Sequence, residues 1–191
     1  MKIANLTKRL GDKLVFDNYS IEIKENKVTY LMGESGSGKT TLLRILSGLD
    51  KDYAGNIPRL DEVSYVFQEP RLFPNLTVQK NIQIVADKSI FSVQDVLKIV
   101  ELSGEESSLP STLSGGMKMR VALARALYHN KDFYLLDEPF SALDEEMKDR
   151  ILPKIFDFFK SNNKTVLIIS HDKQEAIEYA DDIINLKNLK A

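Results

Sequence analysis

The sequence predicts an α/β fold built on a mostly parallel sheet with helices on both faces. Short β-favouring apolar runs, KVTYLMG (27–33), VSYVFQ (63–68), FYLLDE (133–138) and KTVLIIS (164–170), alternate with stretches whose apolar residues recur at helical spacing. The runs are apolar almost throughout, as strands buried on both faces must be. Each ends in a glycine, an acid, an amide or a polar turn, at the edge where open α/β sheets bind ligands.

Taken in order, LVFDNYSIEI (14–23) alternates roughly and predicts one strand of a small N-terminal antiparallel piece. KVTYLMG, the glycine-rich stretch after it and TTLLRILSGL form strand, loop and helix. VSYVFQ is a strand that runs into the proline-bracketed turn EPRLFPNLT. Residues 78–102 predict helices, the second opening at Ser92, whose hydroxyl suits an N-cap. After the polar break SGEESSLPST come a helix from Ser114 to about Tyr128, the strand FYLLDE and a helix from Asp144 to about Asn162. Pro153 predicts a kink or split in that last helix. The strand KTVLIIS, a helix over 173–180 and a short strand DIINLK complete the chain. No internal repeat is visible. The helical block at about 77–128 interrupts the alternation and reads as a subdomain inserted into one domain, 1–191, whose core and β arm come from about 1–76 and 129–191.

Composition limits the function. The 191 residues are 43% hydrophobic and 28% charged, which suits a folded domain with a sizeable core. A formal charge of -2 gives no general basic footprint, so no nucleic-acid partner is expected. The absence of cysteine excludes disulfides and thiolate metal sites. No apolar run approaches the roughly 18 residues of a membrane span, so a membrane role would run through partners.

GESGSGKTT (33–41) has the phosphate-loop spacing, with Gly33, Gly38, Lys39 and Thr40 at its fixed positions and Glu34, Ser35, Gly36, Ser37 and Thr41 completing the cradle. Glycines let successive backbone N–H groups face a triphosphate, and the following helix adds its positive end. Lys39 would reach the β- and γ-phosphates and the Thr40 hydroxyl would ligate Mg2+. FYLLDE delivers two carboxylates to the same sheet edge. Asp137 is the direct or indirect partner of Mg2+, and Glu138 is placed to orient or deprotonate an attacking water; a solvated turn is the plainer alternative. His171, past KTVLIIS, could bond the γ-phosphate or the water, unless ISHD is a helix cap in which Ser170 or Asp172 matters instead. Gln68 is a candidate sensor between the phosphate site and the helical insert. His129, at a helix end, reads as structural. LSGGM (113–117) is a second glycine-opened helix start, where Ser114, Gly115 and Gly116 suit an anion. Lys118 and Arg120 would there carry charge that the helix dipole disfavours and a triphosphate would relieve.

Together GESGSGKT, VFQEP, LSGGM, FYLLDE, SALD and ISHD, in that order, resemble the nucleotide-binding subunit of an ATP-binding cassette (ABC) transporter over nearly the whole chain. The resemblance implies the ABC ATPase variant of the phosphate-loop fold, with ATP and Mg2+ as ligands. Lys39 and Thr40 would hold phosphate and metal, Gln68 and Asp137 would complete the metal and water environment, Glu138 would be the general base and His171 the γ-phosphate switch. Ser114, Gly115 and Gly116 would contact the ATP of a second subunit, so that a homodimer, or a pair with another ABC subunit, sandwiches two ATP molecules. Integral-membrane permease subunits would be partners, a solute-binding protein an indirect one, and the cytoplasmic face of the cell membrane the location. A regulatory ABC-type ATPase that does not transport is the alternative. SALD and LSGGM argue against a phosphate-loop kinase or GTPase, and no long heptad run suggests a chromosome-type member. Met117 and QEPRLFPNLTV are similar to importers of the nitrate, sulfonate and taurine group. Leu10 stands where the family has an aromatic ring on adenine, which implies weaker adenine packing or packing on nearby Phe16. The antiparallel arm looks trimmed, and no regulatory domain is expected after His171.

Overall fold

A computed structural model describes residues 1–58, 60, 62–86 and 89–186. In chain order the elements are β1 (Lys2–Leu10), β2 (Lys13–Glu22), β3 (Val28–Gly33), α1 (Lys39–Leu46), β4 (Ala54–Asn56), β5 (Val63–Val66), α2 (Val78–Gln83) and α3 (Val93–Ile99). A 3-10 turn at Pro110–Thr112 leads to α4 (Gly115–His129), β6 (Phe133–Asp137), α5 (Glu145–Ser161), β7 (Thr165–Ile169), α6 (Lys173–Tyr179) and β8 (Asp182–Leu186). β1 and β4 escape the sequence reading because neither shows a clean apolar period. Lys187, in the expected last strand, lies outside the described residues.

Five strands form a parallel sheet in the order β5-β6-β7-β3-β8, and β2-β1-β4 form a separate antiparallel sheet. The central strands are buried on both faces, which is why their sequences are nearly all apolar. Alternation still sorts the side chains. Tyr30, Tyr134, Leu136, Val166 and Ile168 face a core shared with α4 and α5, whereas Leu31, Leu135, Leu167 and Ile169 face α1 and the antiparallel sheet. Register places Asp137 beside Ile169 and Ile169 beside Leu31, so β6 and β7 end level and β3 runs two residues further, to Gly33.

Local chemistry sets the helix ends. Ser92 and Asp95 form a reciprocal capping box on α3, as the serine predicted, and Ser114, Asp144 and Asp172 each cap the helix they precede. Just past α3, Glu101 accepts from Arg150 Nε at 3.0 Å and from Lys154 Nζ at 2.7 Å, which latches the end of α3 onto α5.

Three expectations change. α5 runs unbroken through Pro153, because Pro153 and the carbonyl it orphans at Asp149 are on the exposed side while Ile151, Leu152, Ile155 and Phe156 hold the buried stripe. Gln68 does not end a strand; β5 stops at Val66 and Gln68 lies in the bend beyond. Arg120 is not a cation waiting at the start of α4. It is buried, and its Nη1 donates to the Val100 and Glu101 carbonyls at 3.1 and 2.9 Å, satisfying the C-terminal end of α3.

Candidate active site

Gly33 closes β3 with φ 150, and a Cβ there would sit 2.4 Å from the Leu186 carbonyl oxygen of β8. Gly38, with φ 97, would press a Cβ to 2.6 Å from Val15 Cγ1 and 2.9 Å from Phe16 Cζ. The loop between them can therefore lie tight against the sheet and the β1–β2 hairpin only with glycine at both positions. Lys39 opens α1 and is buried. Its ammonium donates to the Gly33 and Glu34 carbonyls at 2.8 and 2.9 Å. Burial draws its pKa below the ordinary lysine value, against Glu138 and Asp137, which favour the charged form.

Asp137, the last residue of β6, is buried. Burial raises its carboxyl pKa, while the Thr40 hydroxyl and Lys39 pull the other way. The next residue turns sharply. Glu138 has φ 49, its N–H donates to the Ile169 carbonyl at 3.0 Å, and the Ser141 hydroxyl donates to its carbonyl at 2.9 Å. Its Oε1 then meets His171 Nε2 at 3.0 Å.

The ISHD turn divides its tasks. Asp172 Oδ1 caps α6 by accepting from the N–H groups of Gln174 and Glu175, and Ser170 Oγ accepts from the Asp172 N–H at 3.0 Å. The cap expected of Ser170 and Asp172 is present, and His171 takes no part in it. His129 ends α4 with Nδ1 3.3 Å from Ser64 Oγ.

These parts wall a cavity of about 320 Å³, bounded by Ser35, Gly36, Gly38, Lys39, Thr40, Thr41, Gln68, Glu138, Ile169 and His171, and by Leu10, Lys13 and Val15 of the hairpin. Asp137 lies beneath it at Thr40. Gly33 and Glu34 line an adjoining, mostly apolar hollow of about 540 Å³ on the other side of His171. Ser37 is buried within the loop, its hydroxyl without a hydrogen-bond partner. Ser114, Gly115 and Gly116 line neither cavity. Ser114 Oγ accepts from the Met117 N–H, and Gly116 packs where a Cβ would be 2.9 Å from the Ala142 carbonyl of SALD. A Cβ on Gly115 would meet nothing within 4 Å. Phe16 cannot serve a base, being 2% exposed behind Gly38, whereas Leu10 is 50% exposed at the cavity. The sequence reading missed Lys13, Val15 and Ile169 as wall residues. No motif marks them, since tertiary folding alone brings the hairpin to Gly36, whose carbonyl accepts from Lys13 Nζ at 3.3 Å.

The fit to a divalent cation rests on Asp137: one buried carboxylate beside one threonine hydroxyl, in a cavity shaped by a phosphate loop, is the sparse donor set Mg2+ uses when substrate phosphates supply the rest. Among the described residues no group of three or more histidines, cysteines and acids could hold a metal unaided.

A family model described as ABC transporter matches residues 16–141. An aliphatic sulfonates import ATP-binding protein of Rhodococcus jostii is 40% identical over 97% of this chain and 78% of its own length. A probable sulfate/thiosulfate import ATP-binding protein of Chlorella vulgaris is 38% identical over 98% of this chain and 87% of its own. A sulfate/thiosulfate import ATP-binding protein of Anthoceros angustus is 37% identical over 97% of this chain, which spans 53% of that relative. The dimeric structure of a bacterial ABC transporter cassette superposes with a TM-score of 0.84 at 31% identity, over 97% of this chain and 94% of that one. No helix among the described residues is long and apolar enough to cross a membrane. With the family match running from β2 through the turn after β6, and relatives of the same kind along almost all of its length, the chain belongs to the ABC transporter family.

Proposed function

We propose that this chain is the ATP-binding and ATP-hydrolysing subunit of an ABC importer, working as a dimer at the cytoplasmic face of the membrane and coupled there to a separate permease. The observation that carries the hydrolytic reading is the Glu138–His171 contact at the wall of the phosphate-loop cavity.

In this reading the loop N–H groups and the Lys39 ammonium bind the triphosphate; two of the ammonium's three donors are already on Gly33 and Glu34, and the third is left for phosphate. Thr40, Asp137 and Gln68 would hold Mg2+, which when bound supplies charge neutralisation on the phosphates. Glu138 takes the proton of the attacking water on its carboxylate, and His171 orients the water or γ-phosphate through Nε2. The buried sheet beneath excludes bulk water from that end of the cavity.

Gly115 supports the dimeric part. Gly115 is the first residue of α4 and nothing within this chain crowds it, so its small size answers to something arriving from outside. A second copy presenting its own bound ATP fits Ser114, Gly115 and Gly116. The helical segment at about 77–128 would meet the permease, where Ile84 and Leu109, with the nearby Phe73, leave apolar surface exposed. The named sulfonate and sulfate importers support a small oxyanion as the solute, with any solute-binding protein acting through the permease.

Purified protein should release phosphate from ATP with Mg2+ and should co-purify from its native membranes with a multi-span partner. Gly115→Arg should leave ATP binding by the monomer and thermal stability unchanged and abolish hydrolysis. Weaker binding by the isolated monomer would instead place LSGGM on this chain's own nucleotide.

A further inference from the structure

Lys148, in the first turn of α5, is 13% exposed along its side chain, and its ammonium meets three carboxylates. Asp172 Oδ2 is at 2.9 Å, Glu175 Oε1 at 3.1 Å and Glu145 Oε1 at 3.2 Å. Two of these belong to the segment that carries His171, and each divides its oxygens between two duties. Asp172 gives Oδ1 to the cap of α6 and Oδ2 to Lys148. Glu175 gives Oε2 to the Ser170 hydroxyl, at 3.2 Å, and Oε1 to Lys148. Both neighbours of His171 are therefore tied to one ammonium, Asp172 directly and Ser170 through Glu175.

His171 itself is 52% exposed along its side chain. So open a ring gets little orientation from packing, and the backbone on either side must supply it. The charges give the tie its sign. Glu175 is 6% exposed, and burial raises its carboxyl pKa with a smaller push from Asp172, so without Lys148 two acids would be left facing each other with no cation between them. One turn before Lys148, α5 begins from Asp144 of SALD, and the preceding Ala142 carbonyl is the surface on which Gly116 packs. LSGGM, SALD, α5 and the His171 turn are thus successive contacts, with Lys148 as the last join.

We propose that Lys148 is a positioning residue that fixes the His171 turn to α5 and thereby holds the imidazole on Glu138. This rests on the reading of Glu138 and His171 given above. Displacement of the α5 N-terminus, where SALD and LSGGM meet, is passed by the same ammonium to the histidine.

The test uses the full chain with Lys148→Met, Asp172→Asn and Lys148→Arg. Asp172→Asn keeps the oxygen that caps α6 and removes only the anion facing Lys148, so it tests the tie even if Lys148→Met fails to fold. ATP turnover should fall about 10- to 100-fold in the first two with KM for ATP within about twofold, and Lys148→Arg should recover most of it. Imidazole NMR signals should separate this from general damage. The His171 ring should lose its fixed environment in the first two variants, while His129, the only other histidine, stays unchanged. A folded Asp172→Asn protein with wild-type His171 signals overturns the proposal, as does a Lys148→Arg protein as impaired as Lys148→Met. If the wild-type protein releases no phosphate, the hydrolytic reading fails, and the His171 signals alone still decide whether Lys148 holds the turn.

Discussion

His171 Nε2 stands 3.0 Å from Glu138 Oε1, so the ends of β7 and β6 meet through a polar contact on the phosphate-loop cavity. A carboxylate in that place can accept a proton; an amide of the same shape cannot. Glu138→Gln should keep the ATP dissociation constant within about twofold and lower turnover roughly 10²- to 10⁴-fold. Phosphate-release assays and gel filtration would check this, the latter because unhydrolysed ATP should hold the dimer together. A full rate in the mutant removes Glu138 as general base.

Gly38→Ala should damage fold and ligand binding together. The added Cβ would lie 2.6 Å from Val15 Cγ1 in a backbone conformation with φ 97. We expect a loss of about 1–3 kcal/mol in urea unfolding and a much weaker signal in ATP titration calorimetry. An unchanged midpoint would mean that the hairpin yields without cost.

Leu10, half-exposed at the cavity, offers a base an aliphatic contact and no hydrogen-bonding group. Leu10→Tyr should tighten ATP by about 1 kcal/mol through ring stacking, a change of roughly fivefold by fluorescence titration. In the wild-type protein GTP should bind within about tenfold of ATP. A large preference for ATP would point to a base-reading group other than Leu10.

Glu101 tests the latch between α3 and α5 by its pH dependence. Lys154 and Arg150 hold its carboxyl below the ordinary glutamate pKa. Its contribution is therefore complete above the unfolded value of about 4.3 and disappears as pH falls through the lower folded value. Glu101→Gln should be less stable than wild type at neutral pH, with the gap closing as denaturation is repeated toward about pH 3. A gap independent of pH would assign the loss to packing instead of charge.

The parallel sheet was legible because strands buried on both faces have nearly uniform apolar sequences, and FYLLD and TVLII are buried at every residue. The family was legible because its motifs lie in short contiguous runs. What sequence could not give was anything assembled across the chain. β1 earns its place through pairing with β2 and β4, and Lys8 within it is buried against Asp50, a partner no local pattern reveals. Arg120 looked like an anion contact because it follows LSGGM closely, yet the helix turns it toward α3, whose open carbonyls had no other donor in view. Pro153 looked like a break because a one-dimensional reading cannot see which side of a helix faces water.

The left-handed backbone at Glu138 has one more consequence. A glutamate held at φ 49 costs of order 1 kcal/mol that glycine or asparagine would not. Any redesign of this chain guided by stability alone would replace residue 138 first among the cavity residues, and would erase the carboxylate proposed above to take the proton of the attacking water. The position marks where selection for a working enzyme and selection for a durable one pull apart.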